Sequence, residues 1–282
     1  MQLCSFYNNV AFCITRFCHL CAQPMQLSLR AGGDRWRCSR RPCRKEKGLR
    51  IGTWLEGSRL DYTKIVQFIY LWATESTSFE RATAELAISP ETIVDFNNYL
   101  REVCAMDLLA NPLRIGGRNC TVEIDESLYV RRKNNVGRLP VPQQWVFGGI
   151  CRETSECFMY SVDRRDAATL LPIIEASIHP HTTIMSDSWA AYNNIGQMPR
   201  MGYTHLTVNH SQNFVDPITG ANTQTIESHW SHAKQRNKRQ RGTHRHMVES
   251  YLCEWMWRQR NKNAASLFDK ILADIAQYWP PQ

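Results

Sequence analysis

The chain has 282 residues and 43% apolar content, enough for a sizeable core and too much for a disordered chain. Its net charge of +8 and pI near 9.0 favour a polyanionic partner, nucleic acid foremost. Eleven cysteines make an odd count in a chain too large to need staples, which argues against a secreted disulfide framework; no apolar run is long enough for a membrane span.

Residues 1–15 carry no assignable element, and their short apolar run lacks the basic lead of a signal peptide. Residues 16–55 hold Cys18, Cys21, Cys38 and Cys43 in a C-x2-C, C-x4-C arrangement. Two such pairs on two turns of a short hairpin can place four thiolates around Zn2+, as in a zinc ribbon. Four free thiols in a basic arm is the alternative, because the second spacing is wide. The flanking "RWRCSRRPCRKEKGLR" is strongly basic and would suit a nucleic-acid-facing knuckle.

Residues 56–112 read as a helical domain. "DYTKIVQFIYLWATE" has a helical apolar period at Ile65, Phe68, Ile69 and Trp72. "SFERATAELAI" and "SPETIVDFNNYLREVC" are two further helices, the last with Ser89 as N-cap and Pro90 at the first helical position. The trio fits a helix-turn-helix whose third helix reads DNA through residues such as Asn97 and Arg101. A plain helical bundle has the same pattern. "NPLRIGGRN" is a linker.

Beyond it, residues 118–280 switch to strands: "CTVEIDESLYV", "QQWVFGGIC" and "ECFMYSV", then a helix, "AATLLPIIEASI". Two more strands follow, "TTIMSDSW" and "YTHLTVNH", and from Glu227 the chain reads helical almost to its end. Three strands, a helix, a strand and more helices is the order of a ribonuclease H-like fold. The expected class is therefore α/β: a mixed ribonuclease H-like sheet with flanking helices, preceded by the zinc-ribbon-like element and the helix-turn-helix-like domain.

In that fold three acids would converge: Asp125 on the first strand, Asp187 just past the fourth, and Glu227 on a later helix. Each alone has an ordinary reading, as a strand-end acid, a cap or a first-turn glutamate. Glu123 and Glu126 compete with Asp125, and Glu123 shares its face. Together the three suit Mg2+ or Mn2+, hard ions held by a few carboxylates and water. Two such ions can serve both ends of an in-line displacement at phosphorus. Lys234 lies seven residues after Glu227, two helical turns along the same face. Lys234, Arg236, Lys238, Arg239 and Arg241 are expected to face DNA, unless the run is merely a solvated face.

From about Cys18 to Trp279 the chain resembles DDE transposases of the Merlin superfamily and their insertion-sequence relatives with an ISXO2-like transposase domain. The pieces that carry the likeness include "WRCSRRPCRKEKGLRIGTWLEGSRL", "VEIDES", "WVFGGICRET", "SDSWAAY", "VNHSQNFVDPITGANTQTIESHWSHAK" and "RGTHRHMVESYLCEWMWR". The resemblance implies that Asp125, Asp187 and Glu227 are the catalytic acids and Lys234 the basic residue that follows the glutamate. His210 and Asn222 fall in the stretch leading to Glu227. It also implies an N-terminal zinc-binding element, although "CSRRPC" is looser than the usual ribbon. The implied activity is binding of terminal inverted repeats, metal-dependent strand cleavage, and attack of the freed 3′-hydroxyl on target duplex DNA. The protein would act as a homo-oligomer on DNA and away from membranes, in the nucleus of a eukaryote or the cytoplasm and nucleoid of a bacterium. A decayed or host-adopted DNA-binding descendant, and a Mg2+ nuclease without strand transfer, are the competing expectations.

Overall fold

The structure is a computed structural model that describes residues 16–28, 34–129, 143–239 and 244–280. The chain divides into two units, residues 1–107 with 264–282, and residues 108–263.

The first unit opens with a four-stranded antiparallel sheet, β1 (Arg16–Phe17), β2 (Pro24–Ser28), β3 (Arg35–Cys38) and β4 (Glu46–Gly48), in that order. Helices α1 (Tyr62–Ala73), α2 (Phe79–Leu86) and α3 (Pro90–Ala110) follow. Each starts on a side-chain oxygen that satisfies an orphan backbone N–H. Asp61 accepts from Thr63, Ser78 from Arg81 and Ser89 from Thr92, a cap being typically ~1 kcal/mol. Phe68, Ile69 and Trp72 of α1 are fully buried, as their period requires. The last helix, α7 (Leu267–Tyr278), belongs to this unit. Phe268 stacks edge-on against Tyr70, and the Tyr278 hydroxyl donates to Asp107 at 3.0 Å. The sequence carries the second domain to residue 280; this helix departs from that reading because its apolar face packs on α1.

The second unit is built on a five-stranded sheet. Its strands are β5 (Thr121–Leu128), β6 (Trp145–Cys151), β7 (Cys157–Val162), β8 (Thr183–Asp187) and β9 (Thr204–Val208), in spatial order β7-β6-β5-β8-β9. β5, β6 and β7 pair antiparallel, while β8 and β9 run parallel to β5. Helix α4 (Ala167–Ser177) makes the crossover that a parallel pairing needs. This is the ribonuclease H-like order, three antiparallel strands followed by parallel ones on the other side of β5. Helices α5 (Gln224–Arg239) and α6 (Val248–Arg260) follow.

Both faces of the sheet are covered, which makes β5 a buried central strand. Val122, Ile124, Phe147 and Ile184 pack with Leu170 and Ile174 of α4 on one face. On the other, Val146, Ile150 and Met159 pack with Ile226 and Trp230 of α5 and Leu252 of α6. The pleat turns alternate β5 residues to opposite faces. Glu123 and Asp125 therefore point to the α5 side, among apolar neighbours.

Candidate active site

Asp125 stands across from Gly148 of β6 in the antiparallel register. A Cβ on Gly148 would lie 2.9 Å from the Trp230 ring, so only glycine lets the indole settle over the sheet here. From that seat Trp230 Nε1 donates to Asp125 Oδ2 at 3.1 Å. On the other side of β5, β8 pairs parallel with Thr121 opposite Thr183 and Glu123 opposite Met185. Continuing that register sets Asp125 level with Asp187, the last residue of β8. Burial, then the charges of Glu126 and Asp187, push the Asp125 carboxyl up to about 7, against the pull of the Trp230 hydrogen bond. Asp187 Oδ1 accepts the backbone N–H of Trp189 at 3.0 Å. Glu126 faces the opposite way, beside Tyr192, and is likewise raised, chiefly by burial.

Glu227 lies in the first turn of α5, one turn before Trp230, on the Asp125 side of the sheet. Its Oε1 accepts from Thr223 Oγ1 at 3.1 Å, and His210 Nε2 lies 2.7 Å from that hydroxyl and 3.6 Å from Oε1. The start of α5 is itself anchored by an acid. Glu123 is fully buried; one oxygen accepts from Arg152 Nε at 2.6 Å and the other from the Ile226 backbone N–H at 2.8 Å. Arg152 Nη2 also donates to the backbone oxygen and Oδ1 of Asn222, at 3.0 and 2.9 Å. Glu123 thus ties β5, the turn after β6 and the first turn of α5 into one network. The sequence marks Glu123 only as a rival to Asp125; its pairing with a residue 29 positions away has no local signal.

The structure brings Asp125 and Asp187 together and sets Glu227 on the same side of the sheet. It does not draw the three into one tight group. Among the described residues, the sets of three or more metal-ligating side chains mutually within 4.8 Å are Cys18, Cys21, Cys38 and Cys43, and Cys120, Cys151 and Glu153. The donor set of the acids nevertheless fits a hard divalent cation. Two adjacent carboxylates in a buried setting repel one another, and a cation would relieve that repulsion.

Residues 115–260 match the family described as the ISXO2-like transposase domain, about half of the chain. The chain belongs to that family. Over 113 residues it is 29% identical to an uncharacterized transposase-like protein of Haemophilus influenzae, covering 39% of this chain and 88% of that one. Among solved structures it is similar to the catalytic core domain of BIV integrase, with 13% identity, 56% and 97% of the two chains covered and a TM-score of 0.34. A simian T-cell lymphotropic virus intasome in complex with PP2A regulatory subunit B56 gamma gives 12% identity, 68% and 67% coverage and a TM-score of 0.33.

Within this ISXO2-like domain, Lys234 lies against the sheet. Its Nζ donates to Ser127 Oγ and, at 3.0 Å, to the Leu128 carbonyl, which places it against the end of β5. Two turns after Glu227 is thus the face of α5 that packs on the sheet, and Lys234 is only partly buried there. Arg236, Lys238 and Arg239 fall on α5, but their side chains lie outside the described residues, as does Arg241 altogether.

In the first unit, Arg101 is only 3% exposed and donates to Asn98 Oδ1. It is held within the unit and offers no guanidinium to a base edge, which corrects that expectation. Asn97 Nδ2 bonds back to the Ile93 carbonyl at 2.7 Å. The exposed positions of α3 include Glu91, Val94, Asp95, Tyr99, Glu102 and Met106, an acidic and apolar set unlike a DNA reader. Exposed cations gather instead on the cysteine element, at Arg35, Arg37, Arg40, Arg41, Arg44 and Lys45. There Cys18 Sγ lies 3.5 Å from Cys43 Sγ, and Cys21 Sγ 3.5 Å from Cys38 Sγ. A tetrahedral ion with ~2.3 Å bonds to sulfur needs neighbouring sulfurs roughly 3.8 Å apart, so the four thiols fit Zn2+.

Proposed function

We propose that this ISXO2-like protein is a DNA transposase that cleaves a strand at transposon terminal inverted repeats and joins the freed 3′-hydroxyl to target DNA. The reading is carried by one observation: the parallel register of β5 and β8 sets Asp125 beside Asp187, in surroundings that push Asp125 up to about 7. Family membership supports it, since the matched residues contain all three acids. We assign Asp125, Asp187 and Glu227 as the ligands of Mg2+ or Mn2+, and Cys18, Cys21, Cys38 and Cys43 as ligands of a structural Zn2+. When bound at the acids, the divalent ion supplies Lewis-acid stabilisation of the oxygens around phosphorus.

The chain's own groups prepare that site. The Trp230 N–H holds one Asp125 oxygen in place. Thr223 and His210 fix the Glu227 carboxylate, and Glu123 with Arg152 sets the helix that carries it. Lys234 braces the far end of β5, and Arg236, Lys238, Arg239 and Arg241 supply phosphate contacts. In the cleavage step a water oxygen bonds to phosphorus as the bond from phosphorus to O3′ breaks; the proton the water gives up goes to O3′, which leaves as a hydroxyl, and the other product is a 5′-phosphate. In the transfer step that hydroxyl attacks a target phosphodiester in the same way. Pairing two transposon ends calls for a homo-oligomer on DNA, and in a eukaryote the site of action would be the nucleus.

The test is incubation of the purified protein with a duplex carrying the repeats that flank its gene, with Mg2+ and without. The expected product is a strand ending in a 3′-hydroxyl at the repeat terminus. Repeat-specific binding with no product at any metal concentration would support the DNA-binding descendant instead.

A further inference from the structure

We propose that Cys120, Cys151 and Glu153 form a second metal site, for a thiophilic divalent ion of the zinc class, separate from both the acids and the N-terminal cysteines. The inference does not depend on the transposase reading. Cys120 immediately precedes β5, Cys151 ends β6 and Glu153 lies in the turn to β7. The site therefore sits at the opposite end of β5 from Asp125, roughly 16 Å away at ~3.3 Å per strand residue.

The two sulfurs and a carboxylate oxygen all lie within 4.8 Å of one another, with Cys151 Sγ 3.2 Å from Glu153 Oε2. Bonds of ~2.3 Å to sulfur and ~2.0–2.2 Å to oxygen around one tetrahedral centre need separations of roughly 3.5–3.8 Å. The separations present are bounded at 4.8 Å, which is within about 1 Å of the upper of those values.

The backbone around them is fixed by its own hydrogen bonds. Cys151 N donates to the Glu156 carbonyl at 2.9 Å, Ser155 N to the Cys151 carbonyl at 2.8 Å, Arg152 N to the Thr121 carbonyl at 2.9 Å and Thr183 N to the Cys120 carbonyl at 3.0 Å. The Thr121 backbone N–H holds Glu153 Oε2 at 2.9 Å, the kind of outer contact that orients a ligating carboxylate. Two thiols exclude the hard ions suited to the acid site. Three protein ligands leave a fourth position, and exposed Glu153 opens it to water.

Binding exchanges the two thiol protons, which leave to solvent, for the ion. The same turn carries Arg152, which holds Glu123 and Asn222. An ion here would therefore brace the network that positions α5, from the far end of β5.

The experiment uses the full chain purified under reducing conditions without chelator, with metal counted per chain by mass spectrometry. Two zinc ions per chain are expected. Cys120→Ser with Cys151→Ser should lose one, and Cys18→Ser with Cys43→Ser should lose the other. One ion in the wild type, or no loss on changing Cys120 and Cys151, overturns the proposal. Should the double variant fail to fold, cobalt titration of the metal-stripped wild type replaces it. A second step of thiolate-to-cobalt absorption is expected, weakened about tenfold or more in Glu153→Gln. A single step overturns the proposal, as does a disulfide between Cys120 and Cys151 in the reduced preparation.

Discussion

Replacing Asp125 by Asn should stabilise the protein while abolishing its chemistry, and the size of the gain should depend on pH in a defined way. Burial and the nearby Glu126 and Asp187 charges raise Asp125 from the usual 3.8 to about 7. The folded chain therefore holds a proton that the unfolded chain has lost between those values, and stability falls as pH rises through that window. At about 1.36 kcal/mol per pH unit, the ionised carboxylate costs roughly 4 kcal/mol above pH 7 and about 1.6 kcal/mol at pH 5. Asn carries no charge and keeps an oxygen for the Trp230 N–H. The stability advantage of Asp125→Asn over wild type should thus widen by about 2–3 kcal/mol between pH 5 and pH 8. Urea unfolding of both proteins in magnesium-free buffer at several pH values measures it. A gap that stays constant across that range would refute the claim that Asp125 is a buried acid pressed by its neighbours.

Trp230→Phe removes the donor that favours the ionised form of Asp125. The acid limb of the cleavage profile should move up; an unmoved limb would deny the hydrogen bond a role. Glu123→Gln should cost about 2–3 kcal/mol by stranding a buried charge partner. It should also lower cleavage at least about tenfold with DNA affinity unchanged, and unchanged cleavage would make the Glu123–Arg152 network structural only. Chelating zinc, or changing Cys18 to Ser, should unfold residues 16–48 and leave the five-stranded sheet intact. Amide hydrogen exchange by segment would show it, and full protection of β2 and β3 after zinc removal would contradict it.

The strands were legible in the sequence because their pattern is written locally, and the acids on them could be named for the same reason. Alternation in "CTVEIDESLYV" marks a strand, and an acid at its centre is an exception that calls for a reason. The capped helices α1 to α3 were legible for the same cause, since Asp61, Ser78 and Ser89 each act within three residues of themselves. What escaped was whatever depends on distant partners. The fully buried Glu123 makes sense only once Arg152 and Ile226 are brought to it. Gly148 reads as a weak strand residue until Trp230 lies on it. Lys234 reads as one more charge in a basic run, yet it folds back on β5. Arg101 reads as a surface cation, yet it is buried. Charge patterning identifies a basic segment but not which of its cations the fold has already engaged.

The central claim is that Asp125, Asp187 and Glu227 act as one metal-holding set. The most direct measurement is cleavage of an end-labelled repeat duplex by Asp187→Ala and Glu227→Ala, with DNA binding measured on the same preparations. The account predicts cleavage reduced by at least about a thousandfold in each, with binding within about twofold of wild type, because these carboxylates meet metal and not phosphate. Cleavage retained by either variant would contradict the assignment. Glu227→Ala is the sharper case, because the charges that press on Asp125 are those of Glu126 and Asp187, while Glu227 is joined to the set by its place on the same side of the sheet.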